Sequence, residues 1–227
     1  MFPSFPREWV TDRERALATV YLLRSEKPDL LLVHLADLDS DAHENGPYTP
    51  EANATLEYTD ELVGSILAVV PRGGVVALVS DHGFERVDRV LNIPALLTKE
   101  NVPGQVQAMG GIAVARDEAG TAALRRLAIG REIPKDEVAR YAPQLASAAA
   151  VFEPPEHTQF GTGSGDLYTA PREKGDHGFW PTRQDYRSVF LLYGPGISSR
   201  QTREISMLDI FPRLSSLLST PAVKATR

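Results

Sequence analysis

Residues 29–47 read DLLLVHLADLDSDAHENGP, and the fold turns on how this stretch is read. The apolar run Leu30–Leu35 is too short for a helix and reads as a strand buried on both faces. Upstream, Thr11 and Glu14 form a T-x-x-E capping box that opens a helix. Leu17, Val20 and Tyr21 give that helix its apolar face, and Pro28 ends it. Downstream, Thr49-Pro50-Glu51 starts a second helix with proline at its first position. Leu56, Val63, Ile66, Leu67 and Val70 form its expected buried stripe. The segment Pro71-Arg72-Gly73-Gly74 breaks the chain, and Val75–Ser80 reads as a second buried strand. Helix, strand, helix, strand predicts an α/β fold with a mostly parallel central sheet flanked by helices.

Further along, strands are expected at Gly111–Ala115 and Val189–Tyr193, and helices at 121–128 and 135–150. A Pro/Gly/Ser/Thr-rich loop is expected at Glu153–Gly165, and a closing helix at Leu208–Leu218. Residues 1–227 read as one α/β domain, with 100–165 as a variable insertion on the substrate side.

Composition narrows the function. The net charge of −6 and the absence of any Lys/Arg-rich block exclude a general nucleic-acid-polymer binder. With no cysteine, a metal would have to be held by His, Asp or Glu. The opening MFPSFPREWV lacks the pattern of a signal peptide, and no apolar run is long enough to span a bilayer. The expectation is a soluble chain, cytoplasmic as it stands and without a membrane partner, or exported if a further N-terminal segment exists.

Five residues carry the chemistry. Asp39 and His43 follow the first expected strand, Asp81 and His82 follow the second, and His177 stands in a glycine-flanked loop before the last. Ligands of open α/β sheets bind beyond the carboxyl ends of strands, so these groups are expected to converge on one crevice. Mixed imidazole and carboxylate donors suit zinc, with manganese or iron as alternatives. Asp39, His43 and His177 would make a three-ligand site with an open position, and Asp81 with His82 would give two ligands to a second ion. Two histidines and a carboxylate also describe non-haem iron oxygenases, although those sites usually occupy β-rich folds. Other polar residues have plainer readings. His34 is expected as a hydrogen-bonded core histidine, and Asp37, Asp41 and Asp176 as solvated or supporting carboxylates. His157 is expected at the surface, Phe179 and Trp180 as packing, and Arg125-Arg126 on a solvated helix face.

In this order, Asp39-x-x-x-His43 with Gly46-Pro47, Ser80-Asp81-His82-Gly83-Phe84, and Gly175-Asp176-His177-Gly178-Phe179 resemble the nucleotide pyrophosphatase/phosphodiesterase (type I phosphodiesterase) branch of the alkaline phosphatase superfamily. Pro28-Asp29 before a strand, Asp185–Phe190 and Gly194-Pro195-Gly196 extend the likeness. It is weakest between about residues 100 and 165. The resemblance implies two-metal hydrolysis of phosphodiester or pyrophosphate bonds in a small phosphate-ester substrate. One ion would sit on Asp39, His43 and His177, and the other on Asp81 and His82. In that family a hydroxyl nucleophile and another aspartate ligand lie well upstream of D-x-x-x-H. Here only 38 residues precede Asp39 and none fits those roles, so no nucleophile is assigned. The resemblance therefore covers only the C-terminal part of the family's fold. It leaves a sheet edge to be covered by a second chain or another copy. The competing reading is a non-catalytic metal-binding remnant serving as a structural or binding module.

Overall fold

The computed structural model describes residues 10–184, 186–198 and 204–218. Helix α1 (Asp12–Ser25) opens with the expected capping box. The Thr11 side chain accepts from the Glu14 amide, and the Glu14 carboxylate accepts from the Thr11 amide at 2.7 Å. Its buried positions are Asp12, Ala16 and Thr19, whereas Leu17 and Tyr21 are exposed, contrary to the face read from the sequence. The reason is polar. The Asp12 carboxylate accepts the backbone amides of Ala36 and Asp37, both at 2.9 Å, and this turns the Asp12 side of the helix inward.

The same two bonds cap α2 (Asp37–Asn45), which has no side-chain cap of its own. Asp37 returns a bond by accepting from the Asp12 amide at 3.0 Å. Gly46, with φ +91°, turns the chain out of α2 in the left-handed region that favours glycine. Thr49 and Pro50 then open α3 (Pro50–Leu67) as expected. Its buried residues are Ala52 and Leu62. Leu56 and Leu67 are exposed and Val63, Ile66 and Val70 only half-buried, so the expected stripe is largely uncovered.

The expected buried strand at Leu30–Leu35 does not form. The segment has no ladder partner among the described residues, Leu32 is 83% exposed, and His34 is exposed rather than a core residue. The second expected strand is present as β1 (Val76–Val79), but it is half-buried to exposed. After it come β2 (Glu85–Arg86), β3 (Arg89–Asn92), α4 (Ile93–Lys99), β4 (Val106–Ala108), β5 (Ala113–Ala115), α5 (Glu118–Arg126), β6 (Arg131–Glu132) and α6 (Lys135–Tyr141). The chain continues with β7 (Ala150–Glu153), β8 (Thr158–Gly161), β9 (Tyr168–Thr169), β10 (Gly175–Asp176), β11 (Phe190–Tyr193) and α7 (Ile210–Leu217).

The class is α/β, but the mostly parallel central sheet is not what forms. The described strands make four small sheets, β1-β11, β10-β2, β8-β3-β9 and β4-β5-β7-β6. The only parallel pairing among them is β3 with β8. Helix 135–150 is cut short. α6 ends at Tyr141, Pro143 opens a short 3-10 turn, and Ala150 begins β7. The expected loop 153–165 contains β8. The closing helix is present as α7, preceded by a 3-10 turn, with Pro212 tolerated in its first turn.

The packed core lies between residues 87 and 186. Period-2 alternation sends Ala113 and Ala115 of β5, with Ala150 and Phe152 of β7, to one face of the four-stranded sheet. There they meet Leu91, Ile93, Leu96, Leu124 and Phe160. Val114 and Val151 point to the other face, against Ile133, Val138 and Trp180. Trp180 donates its indole N–H to Glu137 at 2.9 Å, so it is packing, as expected. No helix among the described residues is long and apolar enough to cross a membrane.

Candidate metal centre

Asp39 and His43 sit on α2 rather than in a loop after a strand. Their i, i+4 spacing puts both on one helix face. His82 follows β1, and Phe84 leads into β2. β2 pairs antiparallel with β10, Glu85 opposite Asp176 and Arg86 opposite Gly175, which carries His177 to the side of His82. β10 can lie this close to α2 because Gly175 has no side chain. A Cβ there would stand 2.4 Å from the Ala42 carbonyl oxygen. Two bonds join the elements: the Lys174 amide donates to the His43 carbonyl at 2.8 Å, and the His43 ring meets the Gly175 carbonyl at 2.9 Å.

Three imidazoles converge on one carboxylate oxygen. Asp39 Oδ1 lies 3.8 Å from His82 Nε2, 3.9 Å from His43 Nε2 and 4.0 Å from His177 Nε2. None of these is a hydrogen bond. Although the Asp39 side chain as a whole is 44% exposed, Oδ1 itself is buried and has no hydrogen-bond partner among the described residues. A buried carboxylate oxygen left unpaired costs free energy, and a cation between it and the imidazoles would remove that cost. Four ligands about 2.0–2.1 Å from a tetrahedral zinc stand roughly 3.4 Å apart, so the cluster is a few tenths of an ångström wider than a closed zinc site. Donor types and spacing thus fit a divalent ion, and Asp39, His43 and His177 could hold one.

The rings are ready to ligate. A carbonyl oxygen can only accept, so the Gly175 carbonyl against His43 Nδ1 and the Gly83 carbonyl 3.1 Å from His82 Nδ1 fix the hydrogen on Nδ1 in both rings. In the neutral ring Nε2, which faces Asp39, is then the nitrogen that carries the lone pair. Burial, and after it the neighbouring His82, hold the His177 pKa below its ordinary value, which favours the neutral ring a metal needs. His82 and His177 stack at 3.8 Å between centroids. Phe84 touches all three imidazoles, at 4.8 Å from His43, 5.5 Å from His177 and 5.6 Å from His82. It also lines a cleft of about 890 Å³ together with Tyr48, Arg86, His157 and Lys174. Its place in the S-D-H-G-F motif was the signal for it. The Tyr186 hydroxyl accepts the Gly178 amide at 2.7 Å and steadies the His177 loop, while burial raises the Tyr186 pKa.

Asp81 is the most exposed of the five, at 82%, and its Oδ1 lies 3.5 Å from His82 Nε2, nearer to that ring than Asp39 Oδ1 is. Asp37 and Asp41 are structural: Asp41 accepts from Asn45 at 2.7 Å and from Thr55 at 2.9 Å. Asp176 accepts from the His177 amide at 2.8 Å and from Gln159. His157 is exposed, as expected. Asp185 lies outside the described residues.

The sequence profile described as type I phosphodiesterase / nucleotide pyrophosphatase matches residues 4–193, most of the chain. The chain belongs to this phosphodiesterase family. No curated protein matches it. Among solved structures it is similar to human ectonucleotide pyrophosphatase/phosphodiesterase 5, at 19% identity and TM-score 0.69, covering 98% of this chain and 63% of that one. The murine protein of the same name gives 19% identity and TM-score 0.71, covering 100% of this chain and 65% of that one. An inactive murine variant in complex with AMP gives 18% identity and 0.67, with coverage of 100% and 65%. At these identities the likeness concerns the fold. The chain spans under two thirds of the length of these phosphodiesterase relatives.

Proposed function

We propose that this chain carries the metal-binding part of a hydrolase that cleaves phosphodiester or pyrophosphate bonds in small phosphate esters. The observation that carries the reading is Asp39 Oδ1, buried, unpaired and ringed by three imidazole nitrogens. Asp39, His43 and His177 would hold one divalent ion, zinc by donor type, and His82 with Asp81 would serve a second. Bound ions would polarise the phosphoryl oxygens and lower the pKa of an attacking hydroxyl. Phe84 packs against all three imidazoles, while the Gly175 and Gly83 carbonyls hold a hydrogen on Nδ1 of His43 and His82 and so leave Nε2 as the ligating nitrogen of each. The AMP bound by the murine relative favours a nucleotide-like substrate class.

A second reading, a metal-binding module without turnover, is favoured by one observation. Among the described residues, no serine or threonine is a polar partner of Asp39, His43, His82 or His177. Zinc counted per chain, followed by hydrolysis of bis(4-nitrophenyl) phosphate, separates the two. The hydrolase reading expects two ions and a rate that collapses in His82→Ala. A zinc-loaded wild type no faster than His82→Ala leaves only the binding module, and a wild type that takes up no zinc ends both.

A further inference from the structure

We infer that Glu173 is a positioning residue for His43, acting on the ring from the side opposite its metal-facing nitrogen; the inference rests on the metal reading above. Glu173 Oε2 stands 3.0 Å from His43 Nδ1, beside the Gly175 carbonyl at 2.9 Å. His43, Glu173 and Asp176 also bring their ligand atoms close enough to suggest a cation site of their own. The carbonyl decides against it. Nδ1 must carry a hydrogen to meet Gly175, so this nitrogen has no lone pair to give a metal. The two carboxylates then differ in role. Asp176 Oδ1 is 4.0 Å from Nδ1, beyond hydrogen-bond reach, and the carboxylate is committed to the His177 amide and Gln159. Among the described residues Glu173 has no competing side-chain bond, and it lies 3.0 Å from Nδ1.

A carboxylate on the far nitrogen of a ligating histidine fixes the ring's tautomer and tilt and makes its other nitrogen a stronger donor. The one hydrogen on His43 Nδ1 is bonded to the Gly175 carbonyl, and the Glu173 carboxylate 3.0 Å from the same nitrogen adds an ionic restraint on the ring. Glu173 comes from the segment before β10 and His43 from α2, so the contact also sets how the two elements meet across the site. Its side chain is 40% exposed, which leaves little packing to lose on truncation.

The test is a Co²⁺ titration of the full chain, followed by absorption in the visible and by calorimetry. Glu173→Ala is compared with Glu173→Gln, which keeps an acceptor without the charge, and with Glu44→Ala, which removes an exposed carboxylate next to His43 in sequence. Glu173→Ala is expected to weaken binding by about tenfold or more and to shift the Co²⁺ bands. Glu173→Gln should fall between it and wild type, and Glu44→Ala should match wild type. Metal-free melting of Glu173→Ala should stay where wild type melts. Equal Co²⁺ affinity and bands in wild type and Glu173→Ala overturn the role of Glu173 and leave the metal site standing. An equal loss in Glu44→Ala overturns it too, because net charge then explains the effect. A wild type that takes up no Co²⁺ overturns the metal reading and this inference with it.

Discussion

Two antiparallel arrangements in this molecule share strand chemistry and differ in everything else. β5 and β7 lie inside a four-stranded sheet with both faces covered, and Ala113, Val114 and Phe152 are essentially inaccessible. Among the described residues β1 and β11 pair with each other alone, and Leu78, Val79, Leu191 and Tyr193 are exposed. Apolar residues at strand spacing qualify a segment for burial, but only covering elements bury it. Here α4, α5 and α6 cover one sheet, and no described element covers the other to that degree. The candidate metal cluster lies where the two regions meet. Asp39 and His43 belong to the open part, and His177 comes from the loop that leads out of the packed part.

The largest expected effect tests this contrast directly. Phe152→Ala should cost about 3–5 kcal/mol in urea unfolding, while Leu191→Ala should stay within about 0.5 kcal/mol. A cost for Leu191→Ala near that for Phe152→Ala would show that β11 is covered in solution, and the contrast would fail. Next in size, zinc at a hundred times its dissociation constant should add about 2.7 kcal/mol of stability. Hydrogen exchange should then slow in α2 and β10 and stay unchanged in β5 and β7. Uniform slowing would mean that the two regions already behave as one unit without the ion.

The smallest effect concerns pH. Unfolded His177 binds its proton at the ordinary value of 6.5, and the folded group binds it only at lower pH. Between those two values the unfolded chain holds more protons, so metal-free stability is intact above about pH 6.5 and falls as pH drops below it. Melting followed from pH 7.5 to 5.5 should show that decline in wild type and a flatter profile in His177→Gln. Equal slopes would remove His177 as its source.

What the sequence disclosed was mostly local. Helix starts were legible at Thr11-Glu14 and at Thr49-Pro50, because caps are made by neighbours in the chain. Leu30–Leu35 was misleading, since a strand exists only through its partner and composition cannot say whether one is present. The inward face of α1 was missed because Asp12, a charged residue 25 positions from its partner Asp37, decided it in place of Leu17 and Tyr21. The meeting of Asp39, His43, His82 and His177 was readable from motif order, while the exposure of Asp81, whose carboxylate reaches His82 from the solvent side, was not. Glu173 carried no sequence signal, because its reach to His43 depends on the close approach of Gly175 to α2.

The lone oxygen of Asp39 has a consequence for how this protein tolerates change. A carboxylate with a desolvated, unanswered oxygen weakens the empty protein. In a mutant library sorted only for solubility and fold, Asn or Ser should accumulate at position 39, and in one sorted for ion uptake they should vanish. On the metal reading, aspartate at this position favours the ion-bound protein over the empty one.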